Sequence, residues 1–351
     1  MQEIELLKQQ VLAAAADKRT LRIRGGGTKD WYGQALAGDI LDTRAFSGIV
    51  DYEPTELVIT ARCGTPLAEI EAVLAERNQM LAFEPPHFGE GATFGGAVAA
   101  GLSGPRRATS GAVRDFVLGA VLMDGKGEVL TFGGQVMKNV AGYDVSRLLA
   151  GSMGTLGLML QHSVKVLPRA VSEATLRFEL SEIDAIRRLN EWGGQPLPVS
   201  ASCWIDGALT VRLSGAKAAV DAAVREFGGE AVADSAAFWA SLREQTHPFF
   251  SGTDGVWRLS VPSTTGAIIL KGEQLIEWGG AQRWLKAGSD AATAQNIRSA
   301  VTAVGGHATL FRGGDKSVGV FQPLAPAIAR IHERLKAAFD PSHIFNPGRM
   351  Y

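Results

Sequence analysis

The sequence predicts an α+β fold in two domains, on three observations. The chain has 351 residues, which is more than one hydrophobic core usually accommodates. This length suggests about two domains of ~100 to 200 residues each. Helix-like and strand-like segments alternate, and the hairpin signals Asp124-Gly125 and Asp206-Gly207 favour antiparallel strand pairs. After Pro168 the pattern becomes antiparallel strands that carry helices on one face. We therefore predict a first domain over residues 1–170 and a second over 171–320.

The first domain begins with a predicted amphipathic helix and continues into short strands. The apolar positions that recur at helical spacing are Ile4, Leu7, Val11 and Ala14. The segment LRIR then predicts a strand that leads into the loop RGGGTK, and a β-branched run at 58–62 predicts another. We expect Thr65 to cap, and Pro66 to begin, a helix that extends to about Asn78.

The remaining elements follow from glycine content and turn signals. The segment GATFGGAVAAGLSG cannot be helical throughout, because each glycine costs ~1 kcal/mol relative to alanine in a helix. Residues 115–132 predict two strands around an Asp-Gly turn, and residues 156–168 predict a long closing strand. In the second domain, strands at TLRFEL and SCWIDGALTVRLS alternate with helices, and GAIILKGEQLIEW continues the alternation. A last helix is expected from about Leu324 to Phe339.

Composition excludes several classes of function. The 35 Lys and Arg residues balance 36 Asp and Glu, so no basic field favours nucleic acid. Cys63 and Cys203 are too isolated in sequence to suggest a disulfide framework or a metal site. No apolar run reaches the roughly 18 residues of a spanning helix, so we expect no transmembrane segment. We expect a cytoplasmic protein, or one held at the inner face of the cell membrane through its partners.

Three glycine clusters suggest an anion site. In RGGGTK, consecutive glycines can point backbone N–H groups into one concavity, although a simple tight turn is an alternative. The clusters GATFGG and GSMGTLG strengthen the anion interpretation. None of the three has the spacing of a Rossmann fingerprint, which disfavours an NAD site.

The order of these segments carries a resemblance to a known family. RGGGTK, EPPHFGEGATFGG, GAVRDFVLG, KNVAGYDVSRLLAGSMGTLG and FNPGR, taken in sequence, resemble the vanillyl-alcohol-oxidase flavoproteins with their PCMH-type FAD-binding fold. The resemblance covers residues 1–170 and implies that the C-terminal residues 321–351 complete that domain, with residues 171–320 as a cap. Within the family, FEPPHFGEGATFGG and FGGQVMKNVAGYDVSRL resemble the FAD-binding E subunits of bacterial glycolate oxidases.

The resemblance implies which residues contact FAD. The pyrophosphate is expected at Arg24, Gly25, Gly26, Gly27, Thr28 and Lys29. The residues expected to line the flavin are Pro85, Pro86, Thr93, Gly95 and Gly96, with Gly101 and Gly104 beside them. Later segments of the family match Arg114, Asp115, Lys138, Tyr143, Asp144, Gly151, Gly154 and Gly157, although Asp144 is equally well explained as a helix cap. Relatives with covalent FAD carry a histidine or a cysteine where this chain has Thr28 and residues 95–101, so non-covalent FAD is expected.

The resemblance also implies a reaction and partners. The implied reaction is hydride transfer from a small 2-hydroxy acid to flavin. His307 is a candidate for the base and Arg312 for the cation that binds the carboxylate. Arg106 and Arg107 are other candidate cations, and His87 is expected near the flavin. The Gly-Glu-His-Gly type of metal motif of related dehydrogenases is absent from the sequence.

The expected partners are a D-type flavoprotein subunit and an iron–sulfur F-type subunit of glycolate oxidase. Two alternatives stay open. One is a flavin-bearing relay or assembly subunit without turnover of its own. The other is an independent oxidase or dehydrogenase for another hydroxy acid, a sugar or an alcohol.

Overall fold

A computed structural model describes residues 2–134 and 143–350. The chain divides into two compact units. The first contains the residues up to Leu102, Gly111–Pro168 and the residues from Pro323 onward, and the second contains Ser103–Ser110 and Arg169–Gln322. The α+β class predicted from the sequence is confirmed, because antiparallel sheets and helices build both units.

The first unit contains most of the elements up to Pro168. In chain order these are α1 Gln2–Ala16, β1 Leu21–Arg24, β2 Asp39–Asp42, β3 Ile49–Glu53, β4 Val58–Arg62, α2 Leu67–Glu76, β5 Gln79–Met80 and α3 Phe94–Ala100. After α4 Arg107–Ser110, which belongs to the second unit, come α5 Val113–Phe116, β6 Val117–Met123, β7 Val129–Gly133, α6 Val145–Leu148, β8 Leu158–Lys165 and β9 Leu167–Pro168.

A five-stranded antiparallel sheet in the order β3-β4-β8-β6-β7 forms the centre of this unit. β1 and β2 form a separate parallel pair, so β1 places the loop that follows it at the edge of that pair. The predicted first helix is confirmed, since Leu7, Val11 and Ala14 are its buried residues. The predicted Thr65 cap is wrong: Pro66 occupies the N-cap position, and the Thr65 hydroxyl oxygen accepts instead from Gly48 N at 2.9 Å while it donates to the Arg62 carbonyl at 2.7 Å.

The second unit is built on an eight-stranded antiparallel sheet in the order β13-β10-β12-β11-β15-β16-β14-β17. Its elements after α4 are β10 Ser172–Glu179, α7 Glu182–Gly193, β11 Val199–Ile205, β12 Ala208–Gly215, α8 Lys217–Phe227, β13 Glu230–Ala231, α9 Ala236–Arg243, β14 Gly255–Ser260, β15 Glu273–Glu277, β16 Gln282–Ala287, α10 Ala291–Ala303 and β17 His307–Arg312. The Asp206-Gly207 hairpin is confirmed between β11 and β12. The strand expected across 266–278 is shorter, because only its second half pairs with β11 and β16.

The last helix, α11 Pro326–Phe339, returns to the first unit and ends in a buried ion pair. The Lys336 ammonium donates to Asp340 Oδ2 at 2.6 Å and to the carbonyls of Thr155 and Phe345, each at 2.7 Å. Asp340 in turn accepts from the backbone N–H groups of Ile344 and Phe345. Burial lowers the pKa of Lys336, against the opposing effect of Asp340. These contacts fix the turn from α11 into the tail against the segment that precedes β8.

A second buried polar group, His162, lies on β8 beneath α3. Its Nε2 lies 3.2 Å from the Met159 sulfur, and its ring meets Phe94 edge to face at 6.1 Å. The side chain is completely buried, and burial lowers its pKa from 6.5 to about 4. The folded protein therefore holds this imidazole neutral at neutral pH.

His162 is expected to make the first unit sensitive to mild acid. The His162 imidazole takes up a proton near pH 6.5 in the unfolded chain but only near pH 4 in the folded chain. The free energy of unfolding is therefore unaffected by His162 protonation above pH 6.5, and it decreases as the pH falls from 6.5 to 4. The loss should approach about 3 kcal/mol. Urea unfolding at neutral and acidic pH should show a smaller acid-induced loss in His162→Leu. The control, His343→Asn, alters an exposed histidine whose φ of 51° suits asparagine and should retain the full loss.

Within residues 2–134 and 143–350, none of the helices is both long and apolar enough to cross a membrane. The same residues contain no cluster of three or more His, Cys, Asp or Glu side chains placed to hold a metal ion.

Candidate functional site

The loop RGGGTK follows β1 and presents its backbone to a crevice in the first unit. Among the described residues, the backbone N–H groups of Gly25, Gly26, Gly27 and Thr28 have no acceptor. Four consecutive N–H groups without an acceptor are a costly arrangement unless water or a ligand accepts from them. Gly27 has φ of 74°, which lets the loop curve around its own N–H groups. This arrangement suits a phosphate or another compact anion.

The second glycine cluster lies directly against this loop. A Cβ built on Gly26 would overlap the Gly91 carbonyl oxygen, and one built on Gly25 would overlap the Thr93 side chain. The two segments therefore approach as closely as backbones can. Thr93 is the N-cap of α3, and its hydroxyl accepts from Gly96 N at 3.3 Å. The first turn of α3 thus lines the same crevice as the RGGGTK loop, an arrangement that favours the anion interpretation over a simple tight turn.

The crevice is lined by residues from four parts of the chain. They are Ile23 to Asp30 with Tyr32 and Leu36, then Thr93, Gly96, Ala99 and Ala100, then Met153, and finally Asn346 and Arg349. A neighbouring part of the crevice adds Cys63, Gly95, Gly154 and Gly157. The structure therefore brings the three glycine clusters together around one surface.

Gly95 lines the crevice for a packing reason. Its N–H donates to the Cys63 carbonyl at 2.8 Å, so it is already satisfied by the protein. A Cβ on Gly95 would lie 2.5 Å from Cys63 Cβ. Burial strongly raises the pKa of the Cys63 thiol, so the reactive thiolate is disfavoured beside the crevice.

The charged residues of the loop are held by specific partners. Lys29 donates to the His87 carbonyl at 3.1 Å and lies 5.5 Å from the centroid of the Phe88 ring. The His87 ring itself pairs with Glu71 at 2.9 Å. Arg24 Nε lies 3.1 Å from Asp30, which therefore offsets part of the positive charge of the loop.

The C-terminal tail supplies two residues that the sequence analysis did not single out. Asn346 accepts from Ile23 N at 2.8 Å and donates to the Met153 carbonyl at 2.6 Å, so it joins β1 to the third glycine cluster. Arg349 donates to the Asp30 carbonyl at 2.9 Å and also to Gln34. Burial lowers the pKa of Arg349 to about 10, which leaves it cationic at neutral pH. The only sequence signal for these residues was the FNPGR segment.

The other candidate cofactor residues have varied surroundings. Pro85 and Pro86 are buried in the loop that precedes His87. Gly101 caps α3 in a left-handed conformation, where a Cβ would lie 2.7 Å from Gly151 Cα. Gly104 lies in the second unit, where its carbonyl accepts from Trp278.

The candidates between Arg114 and Asp144 have local roles or lie outside the described residues. Asp115 accepts from Ala112 N at 2.8 Å as part of the start of α5, and the Arg114 side chain is exposed. Asp144 is the N-cap of α6, and Tyr143 is 95% exposed. Lys138 lies outside the described residues.

The candidate catalytic residues lie at opposite ends of β17 in the second unit. His307 pairs with Ser260 of β14, and Arg312 pairs with Val256. Four residues of strand lie between them, and the five steps from one to the other span roughly 16 Å at 3.3 Å per residue. Contact of both with one small 2-hydroxy acid would thus need both side chains to reach toward the middle of the strand. Burial lowers the pKa of each side chain.

Arg258 on β14 lies between them and was missed by the sequence analysis. It pairs with Thr309 of β17, and its guanidinium lies 5.3 Å from the centroid of the Phe311 ring. Its positive charge is the second cause, after burial, of the lowered His307 pKa. The alternation of polar and apolar residues along this strand does not distinguish Arg258 from a solvent-exposed arginine. The other candidate cations are engaged: Arg106 pairs with Glu173 at 2.7 Å, and Arg107 lies 4.4 Å from the centroid of the Trp278 ring.

Comparisons with known proteins agree with this geometry. Residues 2–133 match the profile of a family described as FAD binding domain. The chain is 51% identical over 347 residues to the glycolate oxidase subunit GlcE of Escherichia coli (strain K12), a match that covers 99% of this chain and 97% of that protein. The chain belongs to the GlcE family of glycolate oxidase subunits. The predicted resemblance, the PCMH-type fold and the FAD cofactor are thereby confirmed, and this GlcE-family chain is an FAD-binding oxidoreductase subunit.

More distant relatives share part of the GlcE-family chain. The glycolate oxidase subunit GlcD of Bacillus subtilis (strain 168) is 30% identical over 46% of this chain, which spans 35% of that protein. A D-lactate dehydrogenase of Archaeoglobus fulgidus is 32% identical over 51% of this chain, which spans 40% of that enzyme. A solved structure of alkyldihydroxyacetonephosphate synthase aligns with a TM-score of 0.68 at 15% identity, over 98% of this chain and 75% of that one, and it shows the fold alone.

The crevice of the GlcE-family chain has one feature that suits FAD. The available N–H groups at residues 25–28 match the needs of its diphosphate. Arg349 adds a buried cation to the same lining.

Proposed function

We propose that this chain is the FAD-binding subunit of a complex that oxidises glycolate to glyoxylate and passes the electrons to an iron–sulfur partner subunit. The observation that carries the proposal is the 51% identity that extends over 99% of this chain and 97% of the Escherichia coli subunit. Agreement over that length includes the second unit, on which substrate choice would depend. A D-type flavoprotein subunit and an F-type iron–sulfur subunit are the proposed partners.

In this proposal the first unit holds the cofactor without a covalent bond. The N–H groups of residues 25–28 donate to the diphosphate, and Arg349 balances its charge. Bound FAD supplies the acceptor for a hydride from the α-carbon of the 2-hydroxy acid. Neither Thr28 nor residues 95–101 offer a histidine or cysteine for attachment, and burial disfavours the Cys63 thiolate. Denaturation of the flavoprotein should therefore release all of the flavin into the supernatant.

The experiment is reduction of the flavin under anaerobic conditions. The purified, FAD-loaded chain is mixed with glycolate, alone and with the D-type and F-type subunits, and the visible flavin absorbance is followed. Loss of the absorbance with the isolated chain supports turnover in this subunit. Loss only with the partners supports the relay alternative, and reduction by a sugar or an alcohol but by no 2-hydroxy acid would contradict the proposal.

We assign the substrate carboxylate to Arg258 and the hydroxyl proton to His307, in place of the predicted His307 and Arg312 pair. Arg258 pairs with Thr309, two residues from His307 on β17, and its charge helps to keep that imidazole neutral and able to accept a proton.

Arg258→Met is expected to raise the KM for glycolate and to slow flavin reduction about a hundredfold, the loss of roughly 3 kcal/mol for one charged hydrogen-bonding partner. FAD content should stay unchanged, because Arg258 lies in the second unit. Stopped-flow reduction of the loaded complex measures the rate. Arg225→Met, which removes an exposed arginine from α8, is the control and should reduce at the normal rate. A normal rate in Arg258→Met as well would reject the assignment.

A further inference from the structure

The helix α11 is exposed to solvent over most of its length. All 14 of its residues are described by the structure, and Lys336 alone among them is buried. The hydrophobic side chains that pack on the core of the first unit, Leu335 and Phe339, lie in its C-terminal half. A helix of this length is marginal in water, and burial of one apolar face normally stabilises it. The N-terminal half of α11 therefore lacks the packing that such a helix usually has.

This exposed half carries apolar side chains on one face. Ile328 and Ile331 are 44% and 52% exposed, and they continue the face that packs on the core at Leu335, since intervals of three and four residues join the three. Leu324, just before the helix, is 43% exposed. We call Ile328 and Ile331 the α11 stripe. Adjacent exposed apolar side chains of this kind are typical of an interaction surface, whereas a single exposed isoleucine is not.

Two cations lie on the exposed surface of α11. Arg330 and Arg334 are four residues apart, and Arg334 follows Ile331 by three residues, which places it beside the α11 stripe. Neither arginine side chain forms a hydrogen bond or an ion pair with a residue in the described ranges. Glu333 is two residues from Ile331 and so lies on the far side of the helix from the stripe. Because like charges at this spacing repel each other, the surface favours an acidic partner.

Charge and composition distinguish the possible occupants of this surface. A second copy of this chain would bring the same arginines to the interface, where like charges oppose association. Binding to an anionic membrane surface typically uses clusters of roughly four to eight Lys or Arg with aromatic anchors. Here α11 has two exposed arginines and no tryptophan or tyrosine, and its Phe339 ring lies against Phe132 at 6.2 Å.

An amphipathic helix of a different protein satisfies both features of the surface. Its apolar side chains can cover the α11 stripe, as in the pairing of two helices along their apolar faces. Carboxylates beside its own apolar side chains can form bidentate pairs with the guanidinium groups of Arg330 and Arg334. Both contacts use side chains that are exposed in this chain.

We propose that the exposed half of α11 is the docking surface for an acidic amphipathic helix of a partner subunit. The inference rests on the complex proposed above, and it assigns the part of this chain through which that complex assembles. The partner's apolar side chains cover Ile328 and Ile331, and its carboxylates pair with Arg330 and Arg334.

The test is binding of the FAD-loaded full chain to the separately purified D-type and F-type subunits, titrated by biolayer interferometry. The unaltered chain should bind at least one of them saturably. Ile328→Gln combined with Ile331→Gln keeps good helix formers and should weaken that binding at least about tenfold, because the apolar contact is lost. The control combines Ile183→Gln with Ile269→Gln, at isoleucines of the second unit that are 67% and 98% exposed, and should bind normally.

A charge variant tests the acidic character of the partner. Arg334→Glu should weaken binding at least about tenfold at low ionic strength, and the difference should shrink in about 1 M salt, where the Debye length is roughly 3 Å. Arg225→Glu is the matched control, because Arg225 is likewise an exposed arginine near the C-terminal end of a helix, α8. FAD content and the urea midpoint should stay normal in every variant, since the altered side chains are exposed.

The possible failures point to different errors. Normal subunit binding by the Ile328 and Ile331 variant would reject docking at α11 while the proposed complex stands, and normal binding by Arg334→Glu would reject an acidic partner. If the unaltered chain binds neither subunit, the proposed complex itself is wrong and this surface with it. Self-association, or binding to vesicles of phosphatidylglycerol and phosphatidylcholine, that is lost in these variants while subunit binding persists would overturn the proposal in favour of a second copy or a membrane.

Discussion

Gly26→Ala is expected to weaken FAD binding at least a hundredfold, a loss of about 2.8 kcal/mol at 1.4 kcal/mol per factor of ten. The added Cβ would overlap the Gly91 carbonyl oxygen, so either the RGGGTK loop or the segment before Thr93 has to move. Both are backbone and cannot rotate away as a side chain can. Movement of the loop also displaces the available N–H groups of Gly25 and Thr28.

The dissociation constant for FAD is measured by flavin fluorescence during titration of the apoprotein. Gly266→Ala is the matched control, because a Cβ at Gly266 meets nothing within 4 Å and the residue lies in the second unit. It should bind FAD normally. Unaltered affinity in Gly26→Ala would show that the loop does not grip the diphosphate.

Asp340→Ala is expected to destabilise the first unit by about 3 to 5 kcal/mol, the usual cost of removing one partner from a buried ion pair. The substitution leaves the Lys336 ammonium buried without its carboxylate and removes the acceptor for Ile344 N and Phe345 N. Since Asn346 and Arg349 follow directly, loss of this turn should also loosen the C-terminal side of the crevice.

The control uses a pair with the same sequence spacing at the surface. Lys217 and Asp221 are four residues apart on α8, 2.8 Å from each other, with side chains 74% and 43% exposed. Asp221→Ala should cost no more than about 0.5 kcal/mol. Urea unfolding, followed by release of the flavin, measures both variants. Similar shifts of the urea midpoint in Asp340→Ala and Asp221→Ala would contradict a special role for the buried pair. Adding Lys336→Met to Asp340→Ala should recover part of the lost free energy of unfolding.

The local features of the fold were predictable because neighbouring residues determine them. The helical spacing of Leu7, Val11 and Ala14 and the turn at Asp206-Gly207 specify their elements without information from elsewhere in the chain. The order of the glycine clusters was similarly informative. It predicted both the family and the loop that carries the available N–H groups.

The features that were missed depend on residues distant in sequence. In the sequence, Asn346 is one polar residue of a C-terminal tail. The structure shows that its side-chain amide joins Ile23 to Met153. Gly95 and Gly26 look alike in the sequence, yet Gly95 serves close packing on Cys63, whereas Gly26 exposes its N–H. Thr65 was expected at a helix cap, but its hydroxyl oxygen accepts instead from Gly48 N at 2.9 Å, a residue 17 positions away in the sequence. Helical periodicity and turn-forming residues do not indicate contacts between residues that are distant in the sequence.

The interrupted path of the chain has a consequence for biosynthesis. Residues from Pro323 onward belong to the first unit but are translated only after the whole of Arg169–Gln322. Asn346 and Arg349 therefore leave the ribosome long after the RGGGTK loop. The nascent polypeptide cannot assemble a finished cofactor crevice before these residues emerge, and loading with the nucleotide is expected to follow their exit from the ribosome.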